Sequence, residues 1–502
     1  GGTATANRTY NHASGGFSMG FFARSGISLL VAVSGVWVCL PAQAAPSPIK
    51  TEKKLKAELA KAEKRLVKSH LKLAKQMKKE RKAWAAYLEL LTIRRLDPKS
   101  KKVKKLLAKG PPAKDELDKG YTSARSDLDF EATQRLSNLI ERAVAGGLSE
   151  ASLASVALRL LQYEPNHLVG RQALGFTGEK QNWAGGHERR LRALYRAGFA
   201  KVPPAKQLKE NPFVKLEEAL GFEITVFEGA HCYAVCPTST PMPERLQEIC
   251  KSADLAYEAI HHDLFGAKGL LTPEGSAGAT GPELKPIPKV IYLQLSTQAE
   301  HLKYLEGVVS DPNLKVAGKT LGMVVTPWAP QKTIVCDCWG TGYEREWPAE
   351  RMARFVMRVR FGARRPDYLL QGISRYYSGH ISLRARMRTV PVGSQAKGEK
   401  SYKAGSYALL RADAREDYNA FRTELPVSGG LFKSNQSMNR GDNAMASAFV
   451  DYLIHNDTPK LLDLFSKGDS KERQTPALIK EVFGDDPAAA DELFSLWFER
   501  SY

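Results

Sequence analysis

The chain has 502 residues, of which 43% are hydrophobic and 25% are charged. This composition predicts a globular protein rather than a bundle of membrane helices, and the length is enough for two to four domains that each bury a core. Lys and Arg outnumber Asp and Glu by 74 to 54, which gives a formal net charge of +20.

Residues 1–45 are predicted to be a signal-peptide region. The apolar run Ile27 to Leu40 follows Arg24, is too short to span a bilayer, and precedes Pro41-Ala42-Gln43-Ala44-Ala45, a small-x-small cleavage pattern. We therefore expect a secreted protein of the periplasm or bacterial cell envelope, with no transmembrane span after cleavage. An uncleaved anchor is the alternative.

Residues 46–110 are predicted to form a basic helical arm. Its apolar residues recur at spacings of three, four and seven, which is typical of one narrow stripe on a helix: Leu55, Leu59, Ala62, Leu66, Leu73 and Met77. Between Lys50 and Lys109, 22 Lys and Arg stand against 6 Asp and Glu. Such a surface can be simply solvated, or it can attract an acidic polymer, an anionic membrane surface or nucleic acid.

Residues 111–205 are predicted to be a helical region of the tetratricopeptide-like kind. Two helical runs end in Leu96-Asp97-Pro98 and Tyr163-Glu164-Pro165, and the prolines are 67 residues apart. That separation is close to twice the repeat of about 34 residues. Consecutive prolines at Pro111-Pro112 and Pro203-Pro204 mark the boundaries, because they stop helices.

From residue 212 the pattern changes to mixed α and β, so we predict an α+β fold. Alternating and continuous apolar runs predict strands at 222–227, 231–236 and 289–293 and two more within 321–335. Helices are predicted at 244–265 and 297–305, with further helices towards the C-terminus.

The stretch from Trp347 to Gly379 predicts two consecutive helices. The first reads Trp-Pro-Ala-Glu-Arg-Met-Ala-Arg-Phe-Val-Met-Arg-Val-Arg-Phe-Gly, and Pro366 precedes the second, Tyr-Leu-Leu-Gln-Gly-Ile-Ser-Arg-Tyr-Tyr. This second run and the order of strands and helices resemble the peptidase-MA-like domain of gluzincin-type zinc metallopeptidases. The resemblance covers 212–502 and implies a small mixed sheet followed by a helical C-terminal lobe.

The resemblance also implies where a zinc site would lie. In that family the first helix carries His-Glu-x-x-His and the second supplies a Glu ligand. An ungapped alignment on Phe361-Gly362 and Pro366 places Glu350, Arg351 and Arg354 on the first motif, and Gln371 on the third ligand. A guanidinium is always protonated and offers no lone pair to zinc. We therefore predict no catalytic residue, no metal and no cofactor at these degenerate positions.

Arginines remain where the resemblance places the cleft. Arg351, Arg354, Arg358 and Arg375 are candidates for binding an anion, because guanidinium pairs bidentately with carboxylate or phosphate. The alternative is that they are spread around the helix and solvated. A protein or peptide partner is the expected ligand of such a cleft.

The cysteines fall mainly on two predicted strands. Cys232 and Cys236 lie on one, and Cys336 and Cys338 lie on another. In an oxidising compartment a disulfide between these strands, a four-thiolate zinc site and buried free thiols are the three alternatives.

The leading hypothesis is a secreted, catalytically inactive metallopeptidase-like protein that acts as a binding or scaffold module. The first alternative is an active hydrolase or peptidase with a non-standard site, although the chain matches the Gly-x-Ser-x-Gly nucleophile pattern only at Gly16 to Gly20, within the predicted signal-peptide region. The second is a polyanion-binding envelope protein that acts through the basic arm.

Overall fold

The computed structural model describes residues 47–502 except 98–99, 108–111, 114–116, 165, 179–182, 268–269, 272–285, 322, 329–331, 338–345, 363–364, 383, 387–403, 407–410, 412–413, 416–439, 469–475 and 485–486. The predicted signal-peptide region, Cys338 and the repeat-ending Pro98 and Pro165 lie outside the described residues.

Helices alone build the part of the described chain before residue 202. They are α1 Glu52–Lys79, α2 Ala83–Leu96, α3 Lys101–Leu107, α4 Lys119–Ala145, α5 Glu150–Tyr163, α6 Leu168–Ala173 and α7 Gly186–Lys201.

Helix α1 carries the apolar stripe of the predicted basic arm, residues 46–110, which the structure divides among α1, α2 and α3. It begins after Thr51, whose hydroxyl accepts a hydrogen bond from the Lys54 N–H at 3.3 Å and so satisfies one of the free donors of the first turn. All six predicted apolar positions are buried. Leu55 to Leu66 share a hydrophobic cluster with α4 and α5, and Leu73 and Met77 pack with Tyr121 of α4. The arm therefore lies against the helices of the following segment along its length.

Six strands form one mixed sheet in the order β1-β2-β3-β4-β6-β5. The strands are β1 Lys206–Gln207, β2 Ile224–Glu228, β3 Cys232–Pro237, β4 Val290–Gln294, β5 Met323–Trp328 and β6 Lys332–Asp337. β3, β4 and β6 run parallel, whereas β1 with β2, β2 with β3, and β5 with β6 are antiparallel. All five residues of β4 are buried, as expected for a central parallel strand that is covered on both faces.

Helices cover both faces of this sheet and continue to the C-terminus. They are α8 Val214–Leu220, α9 Pro243–Phe265, α10 Gln298–Gly307, α11 Pro312–Leu321, α12 Glu346–Phe361, α13 Asp367–Ser382, α14 Arg440–Asn456, α15 Thr458–Lys467, α16 Pro476–Phe483 and α17 Pro487–Ser501. One hydrophobic cluster joins β3 to α9, α12, α13 and α14, and another packs α8 and α10 on the opposite face. A separate pair, β7 Arg384–Arg386 and β8 Ala404–Ser406, is antiparallel.

The α+β class is confirmed: the described chain is mostly helical, with a small mixed sheet. Each predicted strand is present within two residues of its predicted start. None of the described helices is both long and apolar enough to cross a membrane. The gluzincin-like arrangement of the last 290 residues stays a prediction.

Helix α13 lies at the centre of the helical layer. Every residue from Tyr368 to Ile381 is buried, and the helix contacts α7, α9, α12 and α14. Its closest approach to α14 is at Gly372, where an added Cβ would lie 2.4 Å from the Ala446 carbonyl oxygen and 2.7 Å from Val450 Cγ2. A backbone atom cannot move aside as a side chain can, so this position requires glycine.

We expect Gly372→Ala to lower the free energy of unfolding by about 1–3 kcal/mol, the usual cost of overpacking. In an exposed helix the same change would stabilise, because alanine has the higher helix propensity. Gly186→Ala is the matched control, since that glycine is exposed at the start of α7 and its added Cβ would meet no atom closer than 3.9 Å. Urea denaturation measures both. Equal stability of the two variants would contradict the packing argument.

Candidate functional site

The degenerate positions lie on the helix pair α12 and α13. Helix α12 ends at Phe361, and the next residue, Gly362, has a φ of +100° and donates its N–H to the Arg358 carbonyl at 2.8 Å. Glycine adopts this left-handed region without strain, so the chain can reverse here. Pro366 precedes α13, and its carbonyl accepts the Leu370 N–H at 3.0 Å. The two helices contact each other along their facing sides.

One guanidinium joins three side chains between these helices. Arg354 Nη2 donates to Glu350 Oε1 at 2.9 Å and to Gln371 Oε1 at 2.5 Å. Arg354 Nε lies 3.3 Å from Ser374 Oγ, to which it donates. The structure therefore brings Glu350, Arg354 and Gln371 together, and Arg354 bridges the other two.

Arg375 completes the contacts of Gln371. Its side chain is fully buried, and its Nη1 donates to Gln371 Oε1. The Gln371 amide oxygen thus accepts hydrogen bonds from two guanidinium groups, which occupy both of its lone pairs. An oxygen in this state has no electron pair left for a metal ion.

The charge on Arg354 persists at neutral pH. Burial lowers the pKa of this guanidinium to about 10, and the positive charges of Arg375 and Arg358 act in the same direction, whereas Glu350 opposes them. A pKa of about 10 still leaves the group protonated at pH 7. The helix pair therefore holds a largely buried cation where the resemblance places a zinc ligand.

Arg351 and Arg358 take no part in this bridge. Arg351 is half-buried near Tyr292 of β4. Burial raises the pKa of Tyr292 well above its ordinary value, and the charge of Arg351 acts in the opposite direction. Arg358 is exposed one turn beyond Arg354. Of the four candidate anion-binding arginines, Arg354 and Arg375 meet at Gln371, and an anion-binding role for the set stays a prediction.

The described cysteines on the two predicted strands are buried. Cys232 and Cys236 lie on β3 and Cys336 lies on β6. β4 stands between these strands, so they are about 9–10 Å apart, whereas the Cα atoms of a disulfide are about 4–7 Å apart. A disulfide between β3 and β6 is therefore excluded for these three residues, and Cys338 falls outside the described part of the chain.

A second polar cluster was missed by the sequence analysis. Asp451 of α14 is buried, and its Oδ1 lies 3.1 Å from His187 Nε2 and 3.5 Å from His455 Nε2. Burial alone would raise the pKa of Asp451, but the hydrogen bond from His187 and the charges of nearby histidines lower it to about 2. Asp451 and His455 share a helix face at a spacing of four, which is visible in the sequence. His187 lies 264 residues before Asp451, so no local pattern links them.

We expect Arg354→Ala to lower the free energy of unfolding by about 3 kcal/mol, because it leaves the Glu350 carboxylate buried without its bridging cation. Arg358→Ala is the matched control: it removes an exposed arginine from the same helix and should change stability by less than about 0.5 kcal/mol. The double variant Glu350→Gln with Arg354→Ala should recover part of the loss. Chemical denaturation measures all three, and an Arg354→Ala variant as stable as Arg358→Ala would contradict the bridge.

Comparison with known proteins adds no assignment to this geometry. No family model matches the chain, and neither does any curated protein or solved structure. The interpretation of the site therefore rests on its own residues and contacts.

Proposed function

We propose that this chain is a secreted, catalytically inactive metallopeptidase-like protein that acts as a binding or scaffold module. The observation that carries the proposal is the Arg354 guanidinium between Glu350 and Gln371. Those three positions are the ones that the resemblance assigns to zinc ligands, and a permanently protonated group joins them. A hydrolytic zinc site needs electron-pair donors there and a general base next to them, but Arg351 stands at the position of that base.

The surrounding fold supports this proposal. A parallel core of three strands lies beside the helix pair, and α13 is buried against α7, α9, α12 and α14. The arrangement keeps the two helices rigid although no metal is needed to hold them. A fold that has this helix pair but lacks the zinc-ligand side chains is suited to binding a partner rather than to cleaving a bond.

A protein or peptide is the proposed partner. Strand β5 ends the six-stranded sheet, and among the described strands it pairs only with β6. An extended peptide can add to such an edge through main-chain hydrogen bonds. The arginines of α12 would favour a partner that carries carboxylates.

Two experiments test the proposal. The first incubates a library of unstructured peptides with the mature chain, and the second measures zinc binding by a variant in which the zinc-ligand residues are restored. The wild-type chain is expected to release no products that a zinc chelator suppresses. The variant combining Glu350→His, Arg351→Glu, Arg354→His and Gln371→Glu should bind one more equivalent of zinc than wild type. Metal analysis by mass spectrometry gives this difference directly.

The contradicting result is defined by two further variants. Chelator-sensitive cleavage by the wild-type chain that is lost in Glu350→Gln but kept in His455→Gln would place hydrolysis at the helix pair and overturn the proposal. Failure of the rebuilt variant to take up the extra zinc would contradict the proposed likeness to a zinc-binding helix pair.

The second candidate function is polyanion binding, and the surface of α1 favours it. Seven exposed basic residues recur every three to seven positions on one face: Lys54, Lys61, Arg65, Lys68, Lys72, Lys75 and Lys79. At 1.5 Å per residue this stripe is about 37 Å long, and it lies opposite the buried apolar stripe. A linear array of cations on a packed helix presents a stable surface to an anionic membrane or polymer.

We expect the triple variant Lys61→Glu, Lys68→Glu and Lys75→Glu to bind phosphatidylglycerol vesicles at least about tenfold more weakly, because each basic residue near an anionic surface contributes about 1 kcal/mol. The matched control reverses three exposed lysines elsewhere, Lys209, Lys215 and Lys319, and changes the net charge equally. Sedimentation with vesicles at two salt concentrations measures both. An equal loss of vesicle binding in the two variants would show that binding depends on the net charge of the chain and not on this stripe.

A further inference from the structure

Two helices that are far apart in sequence bring a set of metal-ligand side chains together. His187 is the second residue of α7, and Asp451 and His455 lie one turn apart on α14. One ligand atom from each residue lies within 4.8 Å of the other two. This cluster is separate from the bridge made by Arg354, which lies between α12 and α13.

Two of the three distances between ligand atoms are close to those around a tetrahedral ion. Ligand atoms about 2.0–2.2 Å from a zinc ion are about 3.3–3.6 Å from one another. Asp451 Oδ1 lies 3.1 Å from His187 Nε2 and 3.5 Å from His455 Nε2. Both edges are within about 0.2 Å of the tetrahedral range, so an ion could enter with small movements of the two rings.

Neighbouring groups hold the carboxylate in place. Tyr502 donates its hydroxyl to Asp451 Oδ2 at 3.1 Å, and Arg411 Nη1 lies 4.0 Å from the same oxygen. Both act on Oδ2, which leaves Oδ1 directed at the histidines. The Arg411 charge is shared with Glu188, whose Oε2 lies 2.8 Å from Arg411 Nε. Contacts of this kind orient the ligands of natural metal sites.

The cluster is reachable from solvent on the histidine side. The side chain of Asp451 is fully buried, whereas those of His187 and His455 are 17% and 27% exposed. Tyr376 of α13 places its hydroxyl 2.9 Å from His455 Nε2, and a bound ion would take the place of this hydrogen bond. Three protein ligands and one open position are typical of a site that holds a water or an exchangeable ligand.

We infer that His187, Asp451 and His455 bind one divalent transition-metal ion of the zinc type, which would tie α7 to α14. Two imidazoles and one carboxylate favour zinc and its neighbours in the first row over calcium or magnesium, which prefer oxygen alone. Without the ion, the hydrogen bonds of His187 and His455 with Asp451 hold the same helices together. The alternative to metal binding is that these hydrogen bonds serve only to stabilise the fold.

The test is a titration of the metal-free mature chain with Co²⁺ and then with Zn²⁺. One equivalent of Co²⁺ should give visible d–d absorption without a thiolate charge-transfer band, which separates this site from the cysteines. Zn²⁺ should displace it. The His187→Ala and His455→Gln variants should bind Zn²⁺ at least tenfold more weakly, whereas His262→Ala, which changes a half-exposed histidine on α9, should bind as wild type.

The inference fails if wild type binds no Zn²⁺ at micromolar concentration, or if His455→Gln binds it as tightly as wild type. His455 is the more exposed ligand, and Gln keeps a hydrogen-bond donor for Asp451, so this variant tests the ion even if His187→Ala does not fold. Circular dichroism and the thermal unfolding midpoint with and without Zn²⁺ verify folding. The expected midpoint rises with Zn²⁺ in wild type and not in His455→Gln.

Discussion

The packing of α12 against α13 depends on one largely buried cation, the guanidinium of Arg354, whose side chain is 11% exposed. It bridges Glu350 on its own helix and Gln371 on the next, and Arg375 donates to the same amide oxygen. A buried carboxylate and a buried amide need partners, and here they find them in arginine rather than in a metal ion. The contact that holds α12 against α13 therefore also engages the Gln371 amide oxygen, which stands at the proposed third zinc-ligand position.

Helix α13 connects the Arg354 bridge to the other helices of the layer. It is buried along nearly its whole length, packs closely on α14 at Gly372, and places Tyr376 beside His455. The Arg354 bridge lies towards α12, and the cluster of His187, Asp451 and His455 lies towards α7 and α14. The Arg354 bridge and the cluster of His187, Asp451 and His455 thus lie on different sides of one helix.

Local patterns in the sequence predicted much of the fold. Alternating and continuous apolar runs located the strands, and the apolar stripe of α1 located its buried face, because these signals lie within one element. The meeting of Glu350, Arg354 and Gln371 was expected because two consecutive helices of the sequence resemble those of gluzincin-type peptidases. The position of β4 between β3 and β6, which keeps Cys232 and Cys236 away from Cys336, depends on strand order and has no local signal. The same is true of His187, which only the tertiary fold brings to Asp451.

The most direct measurement is a crystal structure of the mature chain grown in zinc, with anomalous scattering recorded at the zinc edge. The account predicts the Arg354 guanidinium between Glu350 and Gln371 with no anomalous peak there, while a peak at His187, Asp451 and His455 would show that zinc reached the crystal. A zinc ion held between α12 and α13, with Arg354 turned away, would contradict the central claim.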